Sequence, residues 1–236
     1  MDTNLLKTKT GFLKLGTYKV LSFDKISSTQ TYAHEMIAGR RASDHTIICA
    51  AAQYAGHGRY RRKWVSHHGN LYASFIFQCA DREPRLAYAI AVAVVDTLAA
   101  FGVTAQIKWP NDILLDGKKV SGILIEYAGN FVIVGIGINV HSNPTVPEYE
   151  TTKLDKYVNN IEISDLLSRL AKNMDKWMNA EFDSVRRRWM QCAIGLNLLV
   201  KYRGEMVELI GINDNGALVV RSATEYFLVH GDEILM

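Results

Sequence analysis

The sequence predicts an α+β protein: a mixed, largely antiparallel sheet carrying helices on one face, followed by a small SH3-like β-barrel. Three observations carry that prediction. Apolar runs of strand length follow one another through short turns, and helical patterns are inserted between them singly rather than after every strand. From about Gly195 the chain changes character, with LNLLVKY, EMVELIGI, GALVVR and EYFLVH separated by RG, NDNG and SAT turns.

Taken in order, YKVLSFDKI (18–26) alternates well enough for a strand and runs into SSTQ. There Ser27 and Gln30 have capping-box spacing for a helix continuing to about Ala38. TIICAAAQY (46–54) and NLYASFIFQ (70–78) read as strands on either side of a basic loop. A helix is expected from Pro84, a residue suited to a first turn, to Phe101, closed by Gly102. AQIKW (105–109), KVSGILIEY (119–127) and FVIVGIGINV (131–140) are three further strands, with Asp116-Gly117 and Gly129-Asn130 as hairpin turns. Residues 142–160 are polar, with Pro144 and Pro147, and read as a loop before helices at 162–180 and 181–191.

A chain of 236 residues can bury one large core with a small module beside it, so a main domain at 1–192 and the barrel at 193–236 are expected. Lys and Arg total 27 against 24 Asp and Glu, a formal net charge of +3, too mild for a general nucleic-acid binder. Three cysteines, Cys49, Cys79 and Cys192, lack CxxC spacing and argue against a disulfide framework or a zinc site. The opening MDTNLLKTKTG has no leader pattern. The longest apolar run, 87–101, is short for a membrane span and carries Asp96, so it reads as a buried helix. An intracellular, cytoplasmic protein without membrane contact is expected.

Against that mild net charge, GHGRYRRKW (56–64) stands out. Gly56 and Gly58 let backbone approach a ligand closely, Arg59, Arg61, Arg62 and Lys63 supply charged donors suited to phosphate, and Trp64 offers a flat wall. Read alone, the loop is equally a solvated surface or a nucleic-acid patch, and neither GxxxxGK[ST] nor GxGxxG is present. KWPND (108–112) leaves a strand through Trp109-Pro110, flanked by Lys108 and Asp112. Lys119 enters the KVSGILIE strand and either snorkels or points into the gap left at Ser121-Gly122. GIGINV places Gly135 and Gly137 on one bare strand face, ahead of Asn139. Ser27, Ser28 and Thr29 supply hydroxyls at a helix start, and Gln53 ends a buried strand where it could pair with an amide-like ligand. His67 and His68 read as loop residues, and Arg186, Arg187 and Arg188 as a solvated helix face.

The order SST, AAxQYAGxGRxxRKW, KWPND, KxxGILIE and GIGIN, with a β-module at the end, resembles the biotin protein ligases across about residues 18–236. The resemblance implies the class II synthetase-like biotin–lipoate ligase fold, a seven-stranded mixed sheet followed by an SH3-like barrel. It implies a ligase that uses ATP with Mg²⁺ to convert biotin to biotinyl-5′-AMP and pyrophosphate, the basic loop closing over the adenylate. Biotin then passes to one lysine of a biotin carboxyl carrier protein, of acetyl-CoA carboxylase or a related carboxylase. Matched residue by residue, Ser28, Thr29, Gln30, Gln53, His57, Gly58, Arg59, Lys119, Gly122 and Gly135 become biotin-binding. Arg59, Arg62, Lys63, Trp64, Lys108, Gly137 and Asn139 become nucleotide-binding. Arg59, Lys108, Asp112 and Lys119 become catalytic, with Asp112 near the incoming carrier lysine, and no protein metal ligands are implied.

Three positions depart from the family pattern: His57 for an arginine, Arg61 for a glycine and Gln30 for an asparagine. Arg61 is expected to restore part of the charge that His57 lacks near neutrality. A lipoate or octanoyl transferase is the nearest alternative, although its arginine-plus-triple-glycine and VxHD elements are absent and GxGRxxRKW is present. About 17 residues precede the first strand, too few for the winged helix-turn-helix of some biotin ligases, so a short form without specific DNA binding is expected. The oligomeric state, homodimer included, stays open.

Overall fold

The computed structural model describes residues 12–79 and 85–229. Its elements begin with β1 (Phe12–Leu15), β2 (Tyr18–Ile26), α1 (Thr29–Ala38), β3 (Thr46–Gln53), β4 (Leu71–Gln78) and α2 (Leu86–Ala99). Next come β5 (Gln106–Lys108), β6 (Asp112–Leu115), β7 (Lys118–Ala128), β8 (Phe131–Ile138), α3 (Ile163–Met178) and α4 (Phe182–Cys192). The last four strands are β9 (Leu199–Tyr202), β10 (Glu205–Ile212), β11 (Leu218–Arg221) and β12 (Tyr226–Val229). The chain forms two compact units, residues 1–82 with 118–171 and residues 83–117 with 172–236.

In the first unit the strand order is β1-β2-β3-β4-β8-β7. β2 and β3 run parallel, with Leu21 beside Ile48, and the other neighbours are antiparallel, which makes the sheet mixed as expected. A parallel pair needs a crossover, and α1 is that crossover. Its Ala33 and Met36 cover Leu21, Ile48, Ile76 and Ile133 on one sheet face. The opposite face is buried too, through Ile47, Phe75 and Val134, so β3 and β4 read as continuous apolar runs rather than as alternation. Between β7 and β8, Gly129 (φ 57°) and Asn130 make the expected hairpin, with Ala128 facing Phe131.

The α1 cap lies one residue beyond the expected capping box. Ser28 is the N-cap, its Oγ accepting from the Thr31 N–H at 3.3 Å. Ser27 is held back because its carbonyl accepts from the Ala55 N–H at 2.8 Å, which ties it to the chain leaving β3. Gln30 then points inward, towards the sheet, instead of back over the cap.

In the second unit α2 is buried almost all round, as its apolar composition requires, and its one acid is a hub. Asp96 accepts from Arg188 Nη2 at 2.8 Å and Nε at 2.9 Å, and from Trp177 Nε1 at 2.9 Å. Arg188 is therefore part-buried against α2, while Arg186 and Arg187 pair with Asp183, and Arg186 also with Asp214. Tyr88 packs edge-on against Trp189 with centroids 5.3 Å apart and donates to the Gly216 carbonyl at 2.8 Å. β6 was not expected, because KWPND reads as a strand exit. Instead Trp109-Pro110, a cis peptide, begins a tight reversal, and the chain pairs back with Lys108 facing Asp112.

The C-terminal strands form an antiparallel sheet ordered β12-β11-β10-β9. Closure of this sheet into a barrel is not seen among the described residues.

Replacing Asp96 by Ala leaves a guanidinium and an indole N–H without their acceptor. The expected cost is about 1–3 kcal/mol of unfolding free energy, the range for leaving part-buried donors without an acceptor, measured by urea denaturation; a loss within experimental error would contradict the hub.

Candidate functional site

The site grows from three missing Cβ atoms. Antiparallel register places Gly122 of β7 opposite Gly137 of β8, and Gly135 opposite Ser74 of β4. Alternate positions of an extended chain share a face, so Gly135, Gly137 and Asn139 follow one another over about 14 Å at 3.4 Å per residue. The Trp64 ring lies directly on this bare backbone. A Cβ at Gly137 would stand 2.5 Å from Trp64 Cε2 and Nε1, and one at Gly122 would stand 3.0 Å from its Cζ3. At Gly135 the occupant is Gln30, whose Oε1 lies 2.6 Å from where a Cβ would be.

A polar end adjoins Gly135. Gln53 Oε1 accepts from the Thr29 N–H at 2.7 Å and from Thr29 Oγ1 at 3.2 Å, while Gln53 Nε2 donates to Ser66 Oγ at 2.9 Å. Ser74 Oγ lies 2.9 Å from both Thr29 Oγ1 and Gln30 Oε1. Gln30 Nε2 donates to Glu126 Oε2 at 3.0 Å, and His34 Nε2 is 2.9 Å from the same oxygen. Burial opposes ionisation of Glu126, but hydrogen bonds from His34 and Gln30, with the nearby charges of His34 and His57, hold its carboxyl below the ordinary value. Ser28 contributes as the cap of α1, buried at the same end.

The basic loop is a small hairpin. Gln53 N–H donates to Ser66 O at 3.1 Å, Trp64 N–H to Gly56 O at 2.9 Å, and Gly58 N–H to Arg62 O at 2.8 Å, with His57 bridged to Lys63. Gly56 is required at the root, because a Cβ there would meet Ser66 Oγ and the Trp64 carbonyl at 2.7 Å. At the tip Tyr60 and Arg61 take φ of 54° and 58°. Arg61 therefore occupies the left-handed region that glycine enters without cost, a physical reason for glycine as the usual residue there. The guanidiniums of Arg59 and Arg62 lie 5.2 and 5.6 Å from the Tyr60 ring centroid.

Lys119 brings positive charge to the glycine bed, its Nζ 5.4 Å from the Trp64 ring and 5.0 Å from the Tyr149 ring. At the far end Asn139 is buried and its Nδ2 donates to the Thr152 carbonyl at 3.1 Å, which fixes the amide and turns Oδ1 away. That oxygen and Trp64 Nε1 are buried polar atoms with no partner among the described residues. Such groups are costly unless something else satisfies them. Of the expected site residues, Ser28, Thr29, Gln30, Gln53, His57, Gly58, Arg59, Arg62, Lys63, Trp64, Lys119, Gly122, Gly135, Gly137 and Asn139 all belong to the first unit. Lys108 and Asp112 belong to the second, paired across the β5–β6 hairpin.

Sequence reasoning missed Ser74, Glu126, His34 and Ser66. Ser74 carried the one available signal, a small polar side chain inside an otherwise apolar and aromatic strand. Among the described residues no group of three or more His, Cys, Asp or Glu is placed to hold a metal ion, and no helix is long and apolar enough to cross a membrane.

Residues 22–143 match the family described as the Biotin/lipoate A/B protein ligase family. A bifunctional ligase/repressor BirA of Bacillus spizizenii is 34% identical over 225 residues, covering 84% of this chain and 68% of that one. A biotin–[acetyl-CoA-carboxylase] ligase of Paracoccus denitrificans is 30% identical over 223 residues, covering 84% and 92%. Among solved structures, the biotin protein ligase of Aquifex aeolicus in complex with biotin and ATP superposes with a TM-score of 0.79 at 25% identity, covering 91% of this chain and 97% of that one.

The contact between Trp64 and bare backbone makes a coupled prediction. Gly137→Ala should lower stability by about 1–3 kcal/mol through overpacking, and most of that loss should vanish in a Trp64→Ala background. Equal losses in both backgrounds, measured by thermal unfolding, would show that the ring does not rest on Gly137.

Proposed function

The chain belongs to the biotin/lipoate A/B protein ligase family, and from that premise we propose how its site performs the reaction. The activity is ATP-dependent biotin ligation: biotin is activated to biotinyl-5′-AMP with release of pyrophosphate, then joined to a protein lysine.

One observation carries the reading of the site: a flat, Cβ-free strip roofed by Trp64, with hydrogen-bonding groups at one end and a buried unpaired acceptor at the other. Biotin is a ureido ring on an aliphatic tail ending in a carboxylate. One of its N–H groups fits the remaining lone pair of Thr29 Oγ1, and its tail fits the strip from Gly135 to Gly137 beneath the indole. Its carboxylate then meets Lys119. Asn139 Oδ1, turned outward because Nδ2 is held by Thr152, fits the exocyclic amino group of adenine. Arg59, Arg62 and Lys63 face the phosphates from the hairpin, with Trp64 Nε1 as a further donor.

Attack of a biotin carboxylate oxygen on the α-phosphorus forms an O–P bond and breaks the bond to pyrophosphate. Two anions must approach each other, and one cation at 4 Å offsets about 4 kcal/mol at an effective dielectric of 20, a scale that matters for the barrier. Magnesium enters as the metal salt of ATP, held by the phosphates and its own waters. In the second half-reaction the carrier amine attacks the acyl carbon, AMP leaves, and the amine loses a proton. For Lys108 we propose contact with phosphate, and for Asp112 orientation of that amine, the roles their motif carries by resemblance.

We propose residues 1–192 as the catalytic region and 193–236 as an accessory β-module, a biotin carboxyl carrier protein as the acceptor, and the cytoplasm as the location. The spacing of Cys49, Cys79 and Cys192, without CxxC, suits that reducing compartment.

Incubation with biotin, Mg-ATP and a biotin carboxyl carrier domain should add one biotin to one carrier lysine by mass spectrometry. Labelling by lipoate in its place would transfer the protein to the lipoate branch of the family. Arg59→Gly should release free biotinyl-AMP about 10- to 100-fold faster, the worth of one charge-assisted hydrogen bond; unchanged leakage measured by chromatography would remove Arg59 from the adenylate.

A further inference from the structure

The Lys119 ammonium lies between two aromatic rings, 5.4 Å from the Trp64 centroid and 5.0 Å from the Tyr149 centroid. Both distances fall within the range over which a ring face attracts a cation. The lysine stem runs along the bare strip, its Cε 3.3 Å from where a Cβ of Gly122 would stand. Trp64 is already fixed, by its seat on Gly137 and by its N–H bond to the Gly56 carbonyl. Tyr149 lies outside every motif that points to the site, in the loop that follows β8.

Backbone pairing decides where the Tyr149 ring falls. Lys119 N–H donates to the Glu150 carbonyl at 2.9 Å, and Thr152 N–H donates to the Lys119 carbonyl at 2.9 Å. These are the two bonds of a parallel bridge between Lys119 and Thr151, and Tyr149 is the residue just ahead of them. The loop is tied at further points. Asn143 Nδ2 donates to Thr151 Oγ1 at 2.8 Å, Thr151 Oγ1 donates to the Pro144 carbonyl, and Lys118 Nζ pairs with Glu150 at 2.8 Å. The loop cannot slide along β7 without breaking these bonds, so register sets the ring beside Lys119.

A lysine on its four-carbon stem loses conformational entropy when an anion fixes it. A ring face confines the ammonium without neutralising it, so the charge stays available to a carboxylate. We propose that Tyr149 is a positioning residue for the biotin carboxylate: with Trp64 it confines the Lys119 ammonium over the strip, so that this side chain is ordered ahead of binding rather than by it. The proposal rests on the biotin reading of the site and adds to it a residue that meets Lys119 from the opposite loop. The ring face carries the effect, so phenylalanine replaces tyrosine at 149 and leucine does not.

The test is titration calorimetry with biotin and with biotinol, in which an alcohol replaces the carboxylate. Tyr149 is 41% exposed, so its truncation leaves the core intact. Tyr149→Leu should raise the Kd for biotin about two- to ten-fold, the worth of immobilising one long side chain on binding, and leave the Kd for biotinol little changed. Tyr149→Phe should bind both ligands as the wild type does. In a Lys119→Met background, Tyr149→Leu should have no further effect on biotin. Equal weakening of both ligands, or the same weakening in the Lys119→Met background, would give Tyr149 a general role in shaping the loop and overturn the proposal. An unchanged biotin Kd in Tyr149→Leu, or a Tyr149→Phe variant as weak as Tyr149→Leu, would overturn it as well. Wild-type protein that binds biotin no more tightly than biotinol, or binds neither, would overturn the biotin reading itself, a separate outcome.

Discussion

An aromatic ring can lie flat on a β-sheet only where the backbone is bare, and this constraint organises the first unit. The antiparallel register that sets Gly122 beside Gly137 makes the bare patch two strands wide, and Trp64 uses both positions. Any other residue at 137 would put carbon inside the indole ring. The indole in turn fixes the loop that bears it. Trp64 backbone pairs with Gly56, and Ser66 donates its hydroxyl to the Trp64 carbonyl at 3.0 Å. Positive charge on the hairpin is thereby anchored at its root, where packing is tight, while the tip keeps Tyr60 exposed between two arginines.

The same patch explains how a sheet can be both core and binding surface. One end of the α1-covered face is filled by Met36, Ile48, Ile76 and Ile133. Towards Gly135 the apolar packing stops, and Gln30, Ser74 and Thr29 take over without leaving the interior. Buried polar groups at this density are tolerated only when their hydrogen bonds close, and the chain from Glu126 to Ser66 closes them. Rigidity here has a use, because a ligand read by hydrogen bonds needs donors and acceptors that do not swap.

Much of this was legible in the sequence, for identifiable reasons. β2, β3, β4, β7 and β8 announce themselves as apolar runs ended by turn residues, and the glycines of GIGIN mark a bare face by their spacing alone. β6 was hidden because four residues, DILL, after a proline look like the exit of the preceding strand. The α1 cap slipped by one residue because Ser27 is claimed by a backbone bond to Ala55, which no local pattern reveals. The pairing of Arg188 with Asp96 left no local trace because the two lie 92 residues apart. Gln30 and Glu126, 96 residues apart, are joined only through sheet register, so sequence spacing carries no trace of their link.

That distinction between local and register-dependent features bears on how such a site can change. Cations on a hairpin tip are local: Arg61 stands where glycine suits the backbone better, and it adds charge at the cost of a left-handed φ of 58°. Such a change is confined to an exposed tip. The polar chain beneath the groove is the reverse case, because it joins side chains contributed from α1, β3, β4, β7 and the loop root. Removing Gln30 or Ser74 alone leaves a buried donor or acceptor unmatched. The interior chain therefore resists piecemeal substitution, whereas the charged tip accommodates it.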